Sequence, residues 1–226
     1  MLDRWVELAA GVWVVRNREL DLNLGFVLGS RSGLVVDTGF GAAHGAAFAE
    51  AIRERTPLPL SVVLTHAHFD HVLGTSAFPG AEVYAHPVCA ARLAEITVHD
   101  REQWSQECPA FTEEITVSPV VPPTHPTADH TLDLGGRTAR LLHPGRGHTG
   151  GDLIVHIPDA ACVFAGDLVE QGAEPQAGED AFPAEWPASL ERLLALHPKV
   201  VVPGHGEPVA PAFVAAQRES LTAGWT

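Results

Sequence analysis

Apolar residues along the chain come in short runs, separated by glycine, proline and small polar residues. Val12 to Val15 and Leu24 to Ser30 predict two antiparallel strands around a polar turn. Gly33 to Gly39 predicts a third strand, with Asp37 at its end. From Ala42 to Arg55 the period lengthens. Ala46, Ala49 and Ile52 recur on one side, which predicts a helix that Pro57 and Pro59 stop. Leu60 to Leu64 predicts a buried strand and Glu82 to His86 another, after which Pro87 opens a helix towards Glu95. The stretch from Ile96 to Asp129 has little periodicity and five prolines between Pro109 and Pro126. It predicts a loop-rich lid, with a short helix near Asp100 to Cys108.

The second half repeats the rhythm of the first. "HTLDLGG" and "RTARLLH" predict two strands around Gly135 and Gly136. "GDLIVHIP", "ACVFAGD" and "KVVVPGHG" predict three more strands, and helices are expected over Pro187 to Leu196 and Ala210 to Leu221. Two strand-rich halves, each with helices, predict two packed sheets with helices outside rather than a regular βαβ repeat.

The 226 residues suit a single domain spanning 1–226 with a lid insertion around 96–129. Formal net charge is −14, and Lys199 is the sole lysine, so a basic surface for nucleic acid is not expected. Cys89, Cys108 and Cys162 are too few and too widely spaced for a disulfide framework. Cys162 is expected as a buried thiol, with Cys89 and Cys108 partly exposed. Early charges at Asp3, Arg4 and Glu7, the thiols, and the lack of a membrane-length apolar run lead to the expectation of a cytoplasmic protein acting on a small molecule. Oligomeric state is not legible.

The unusual chemistry is concentrated where apolar runs end. "SVVLTHAHFDH", "LHPGRGHTGGD", "CVFAGD" and "VVVPGHG" place His66, His68, Asp70, His71, His148, Asp167 and His205 just past or at the ends of predicted strands. Rigid strand ends hold ligands accurately. In an extended loop, positions 66 and 68 point the same way while 70 and 71 point elsewhere. Seven imidazoles and carboxylates also exceed the shell of one tetrahedral ion. They suit two ions sharing a carboxylate. Glycines 147, 150, 151, 204 and 206 flank these residues and allow tight turns.

"HAHFDH" resembles the HxHxDH signature of the metallo-β-lactamase-fold superfamily. "GRGHTGGD", "FAGD" and "VPGHG" are similar to its later metal motifs in order, and "VVDTG" to the strand before the signature. The resemblance covers about residues 10 to 210. It implies an α+β fold, the four-layer αββα sandwich, with the metal site along one sheet edge. It implies that His66, His68 and His148 hold a first metal, Asp70, His71 and His205 a second, and that Asp167 bridges them. Asp70 and Asp167 become the catalytic carboxylates, and Asp37 a support for the ligand loops. His44, His86, His130 and His143 are expected at the surface or behind the ligands.

The activity implied is that of a dinuclear metal-dependent hydrolase, with two Zn2+ favoured and Fe or Mn possible. Asp167 points towards the glyoxalase II, lactonase and phosphoesterase side of the resemblance, since true β-lactamases of the fold carry no shared aspartate there, and an ester, thioester or lactone is the expected substrate. Glyoxalase II adds a helical C-terminal domain not seen here, and the tRNA-processing relatives carry a basic surface. Three alternatives remain: a phosphoesterase, an iron persulfide dioxygenase using a triad such as His66, His148 and Asp167, and a non-catalytic binding protein that metal stabilises. Trp104, Phe111, Phe182 and Trp186 are the aromatic candidates for a substrate pocket.

Overall fold

The computed structural model describes residues 4–224. The first half is built from β1 (Arg4–Ala9), β2 (Val12–Asn17), β3 (Leu22–Leu28), β4 (Gly33–Val36), α1 (Ala42–Arg53), β5 (Leu60–Val63), α2 (Phe69–Val72), β6 (Glu82–Ala85), α3 (Pro87–Ala94), α4 (Val98–Glu107), α5 (Thr112–Val117) and β7 (His125–Pro126). The second half contains β8 (Asp129–Asp133), β9 (Thr138–Leu142), β10 (Ile154–Ile157), β11 (Cys162–Glu170), α6 (Trp186–Leu194), β12 (Val200–His205) and α7 (Pro211–Ala223).

Alternation along the strands divides the interior into three apolar layers. In β4, Leu34 and Val36 face one way and Val35 the other. In β11, Cys162 and Phe164 face one way and Val163 and Ala165 the other. Residues with period two must separate like this. The middle layer joins Val12, Val27 and Val36 of the first half to Leu141, Val155 and Phe164 of the second. A first outer layer packs Phe48 and Ile52 of α1 on Phe26 and Val62. The other packs Trp186, Leu190 and Val214 from α6 and α7 on Val163 and Val201. Helix, sheet, sheet, helix is therefore the layering, and it is the expected sandwich.

The two sheets approach closely at Gly25, where an added Cβ would lie 2.6 Å from the Phe164 ring. They are also joined edge to edge, because His205 of β12 pairs with Leu22 of β3. Backbone pairing thus runs from β7 through β3 and β12 to β8. β4, β5 and β6 are parallel to one another, as are β11 and β12. Their C-terminal ends therefore gather at common edges.

Two expectations need correction. Ile96 to Asp129 is not mainly loop, since α4 and α5 occupy much of it. α4 starts with a capping box in which Thr97 and Asp100 bond reciprocally. Cys89 is buried, not partly exposed, and burial raises its thiol pKa. Cys162 is buried as expected and pushed up to about 12 by desolvation, and Cys108 is half-buried. No helix among the described residues is long and apolar enough to cross a membrane.

Candidate metal centre

β4 and β5 end side by side, which brings Asp37 against Thr65 and the histidine-rich turn. Asp37 is buried, with φ at 59°. That left-handed conformation is one aspartate tolerates better than most side chains. Its carboxylate accepts from the Thr65 N–H at 2.7 Å, the Thr65 hydroxyl at 2.8 Å and His71 Nδ1 at 2.8 Å. Past Thr65 the chain does not stay extended. Asp70 and His71 lie in the single turn of α2, and His68 caps it. The turn, rather than strand alternation, places Asp70 and His71 in a ligand group separate from that of His66 and His68.

The outer nitrogen of each candidate histidine determines what its inner nitrogen can do. Carboxylates and carbonyls only accept, so the ring nitrogen facing one must donate. His71 Nδ1 donates to Asp37, His148 Nδ1 to the Gln176 carbonyl at 2.9 Å, and His205 Nδ1 to the Leu20 carbonyl at 2.8 Å. His68 Nε2 faces the Asp180 carboxylate at 3.3 Å. The Thr65 hydroxyl spends its proton on Asp37, so at 3.0 Å it accepts from His66 Nδ1. Each histidine consequently turns an unprotonated nitrogen inward when neutral. Such outer partners fix the tautomer of metal-binding imidazoles.

The inward atoms form two groups: His66, His68, His148 and Asp167 in one, and Asp70, His71 and His205 in the other. Within each, one ligand atom per residue lies within 4.8 Å of the rest. All seven candidates from the sequence are brought together. Asp167 lies between the groups. Its Oδ1 is 3.2 Å from His71 Nε2, and its Oδ2 is 3.5 Å from His148 Nε2 and 3.4 Å from His205 Nε2. Asp70 Oδ2 is 3.2 Å from His205 Nε2. Gly204 makes room for this carboxylate, for a Cβ there would sit 1.7 Å from Asp167 Oδ1.

This donor set fits cations. His66 Nε2, His71 Nε2 and Asp167 Oδ1 are buried without a hydrogen-bond partner. His68 Nδ1 and His148 Nε2, both acceptors when neutral, face each other at 2.9 Å. Buried acceptors aimed at one another are costly, and positive charge between them removes the conflict. In the bare protein protons partly serve. Burial opposes charge on His71 and His205, but the Asp167 and Asp70 carboxylates outweigh it and hold both well above an ordinary histidine pKa. Burial likewise opposes charge on Asp70, yet His71 and His205 lower it to about 2. His148 is lowered to about 4, mainly by burial.

Among the described residues, His44, His86, His130 and His143 join neither group. His44 is buried against Phe40, its ring held by Asn17. His143 bonds the Asp152 carbonyl and packs on His86. Trp186 is fully buried beside His148, and Phe111 packs on Phe40, so neither opens onto the cleft. Trp104 does line a cleft of ≈ 400 Å³ with His68 and Asp70. The backing from Gln176, Leu20 and Asp180 was not anticipated. Two of those contacts use backbone carbonyls, which no residue type announces.

The family model of the Metallo-beta-lactamase superfamily matches residues 19–205. The chain belongs to that family, and its site is that of a dinuclear metal-dependent hydrolase. It is 26% identical over 209 residues to a metallo-beta-lactamase type 2 of Bacillus sp. (strain 170), covering 90% of this chain and 73% of that one. It is 27% identical over 225 residues to the acyl-coenzyme A thioesterase MBLAC2 of Gallus gallus, covering 88% and 78%. Among solved structures, a metallo-beta-lactamase from Pontibacter korlensis superposes with a TM-score of 0.78 at 23% identity, covering 98% of this chain and 99% of that one. That likeness shows the shared fold.

Proposed function

We infer that the protein hydrolyses a small carbonyl ester, thioester or lactone with two zinc ions. His66, His68 and His148 would hold one ion and Asp70, His71 and His205 the other, with Asp167 placed within reach of both groups. The observation that carries this reading is the inward donor set: five imidazole nitrogens and two carboxylates, with Asp167 within reach of both groups. When bound, two such ions supply Lewis acidity and lower the pKa of water near 7.

The chain's own residues supply position. Asp37 and Thr65 hold His66 and His71 in the required tautomers. Asp167 lies between the sites and offsets their positive charge. Asp70, locked by His205, lines the cleft floor, where it orients the attacking water and accepts its proton. In the net reaction water's oxygen bonds to the acyl carbon, the C–O or C–S bond breaks, and the leaving alcohol or thiol takes up a proton. The segment around 96–129 acts as the lid, with Trp104 stacked on Phe69 at 5.7 Å as its apolar contact.

Zinc follows from the imidazole-rich set. The thioesterase among the relatives favours carbonyl substrates over phosphoesters. An iron dioxygenase built on His66, His148 and Asp167 leaves His68, Asp70, His71 and His205 without a task. Three free thiols suit a cytoplasmic setting, and the family match over residues 19–205 suits a single domain spanning 1–226. The test is turnover of a panel of phenyl esters, thioesters and lactones by zinc-loaded protein. Activity is expected to vanish on chelation and return with zinc. Oxygen-dependent persulfide oxidation without ester hydrolysis would overturn the reading.

A further inference from the structure

Two of the outer partners of the metal centre sit on one segment. The chain from Gln171 to Ala181 has no helix or strand, and from Gly172 to Asp180 every residue but Pro175 is exposed. Yet this strap delivers the Gln176 carbonyl to His148 Nδ1 at 2.9 Å and the Asp180 carboxylate to His68 Nε2 at 3.3 Å. Both rings belong to the first ligand group. The ends of the strap are tied. The Gln171 N–H donates to the His205 carbonyl at 3.0 Å, and the Phe182 N–H to the Gly147 carbonyl at 2.8 Å.

The middle of the strap is held by a buried carboxylate. Glu170 ends β11, a strand whose every position is buried, and it lies opposite His205 in β12. A carboxylate in that place is costly unless it is bonded. Its Oε2 accepts from the Gln176 N–H at 3.0 Å. That bond reaches the same residue whose carbonyl accepts from His148. Pro175, just before it, is buried without an N–H to satisfy. The Gln176 side chain does not share the task, since its amide turns back to the Glu174 carbonyl at 2.8 Å. Glu170 itself joins neither ligand group, so its link to a metal runs through the strap.

Resting on the two-ion reading above, we propose that Glu170 is a positioning residue for the first metal: it clamps the Gln176 backbone, which sets the tautomer and aim of His148. In the second group, His71 and His205 lean on Asp37 and Leu20, neither of which lies on the strap. Loosening the clamp therefore weakens one ion and spares the other. A residue that only packs would lower stability without distinguishing the two.

Zinc affinities are read stepwise with a chromophoric chelator, and the His148 Nδ1–H by ring-nitrogen NMR. Glu170→Met keeps the length of the side chain and removes its oxygens. It should weaken one zinc site about tenfold and leave the other unchanged. Its His148 Nδ1–H signal should be lost to solvent exchange. Glu170→Gln still offers an oxygen to the Gln176 N–H and should restore both readouts. In the wild type the Gln176 amide should exchange with deuterium more slowly than those of Ala173 and Glu174. That comparison decides even if Glu170→Met does not fold. Wild-type affinities with an intact His148 signal in Glu170→Met overturn the proposal, as do equal losses in the two variants or an unprotected Gln176 amide in the wild type. If the wild type binds no zinc, the two-ion reading fails. Loss of the His148 signal in Glu170→Met and its return in Glu170→Gln would then uphold the clamp alone.

Discussion

Asp37 touches no expected metal ligand atom, yet three groups of the site depend on it. Asp37→Asn isolates that dependence. Asparagine keeps the shape and tolerates the left-handed φ of 59°, so the backbone is not newly strained. The hydrogen-bond pattern cannot survive. If the amide oxygen stays on the Thr65 N–H, the NH2 group faces both the Thr65 hydroxyl and His71 Nδ1, where an acceptor stood. His71 must then accept at Nδ1 and carry its proton on Nε2, the atom 3.2 Å from Asp167. If the amide flips, a donor meets the Thr65 N–H. Losing an outer partner of this kind costs about 10–100-fold in metal affinity, or roughly 1.4–2.8 kcal/mol. The loss should fall on the group containing His71. Competition with a chromophoric chelator reads both affinities, and a melt of the metal-free variant separates folding from binding. Two ions bound at wild-type affinity would refute the tautomer argument.

Asp167→Ala should cost more than His205→Ala, because Asp167 faces both groups. A loss of more than about 100-fold in activity, together with lost metal, is expected by elemental analysis and turnover. Asp152 is buried, and burial raises its carboxyl from 3.8 to about 7 although the Thr149 N–H and hydroxyl both donate to it. A folded pKa above the unfolded value adds stability that is complete below about 4 and lost as pH rises through about 7. Each unit is worth about 1.4 kcal/mol. The metal-free wild type should therefore lose a few kcal/mol more across that window than Asp152→Asn does, as paired melts at pH 4 and 7 will show. Trp104→Ala should raise KM or reorder substrates by about tenfold, with metal content unchanged. Equal loss on every substrate with a lowered Tm would instead make Trp104 structural.

The site was legible where chemistry and spacing coincide. Three histidines and an aspartate in "HAHFDH" have no apolar reason to follow a buried strand, and neither does the histidine of "VPGHG". Strands were legible because opposite faces of β4 and β11 enter different apolar layers, so nearly every position there is buried. Short or half-exposed elements escaped. β1 is an edge strand with half-exposed positions. α2 is one turn long and hidden inside the ligand motif. α5 is six residues long and buries Ile115 alone, so it carries no apolar stripe to read, whereas α4 is the short helix expected near Asp100 to Cys108.

The central claim is two cations on one shared carboxylate. Protein purified without added ions, analysed for zinc, iron and manganese, and then examined by metal-edge crystallography tests it most directly. The account predicts close to two ions per chain, one on each group of ligands, with Asp167 contacting both. Full occupancy at one ion per chain, with Asp70 uncoordinated, would contradict it.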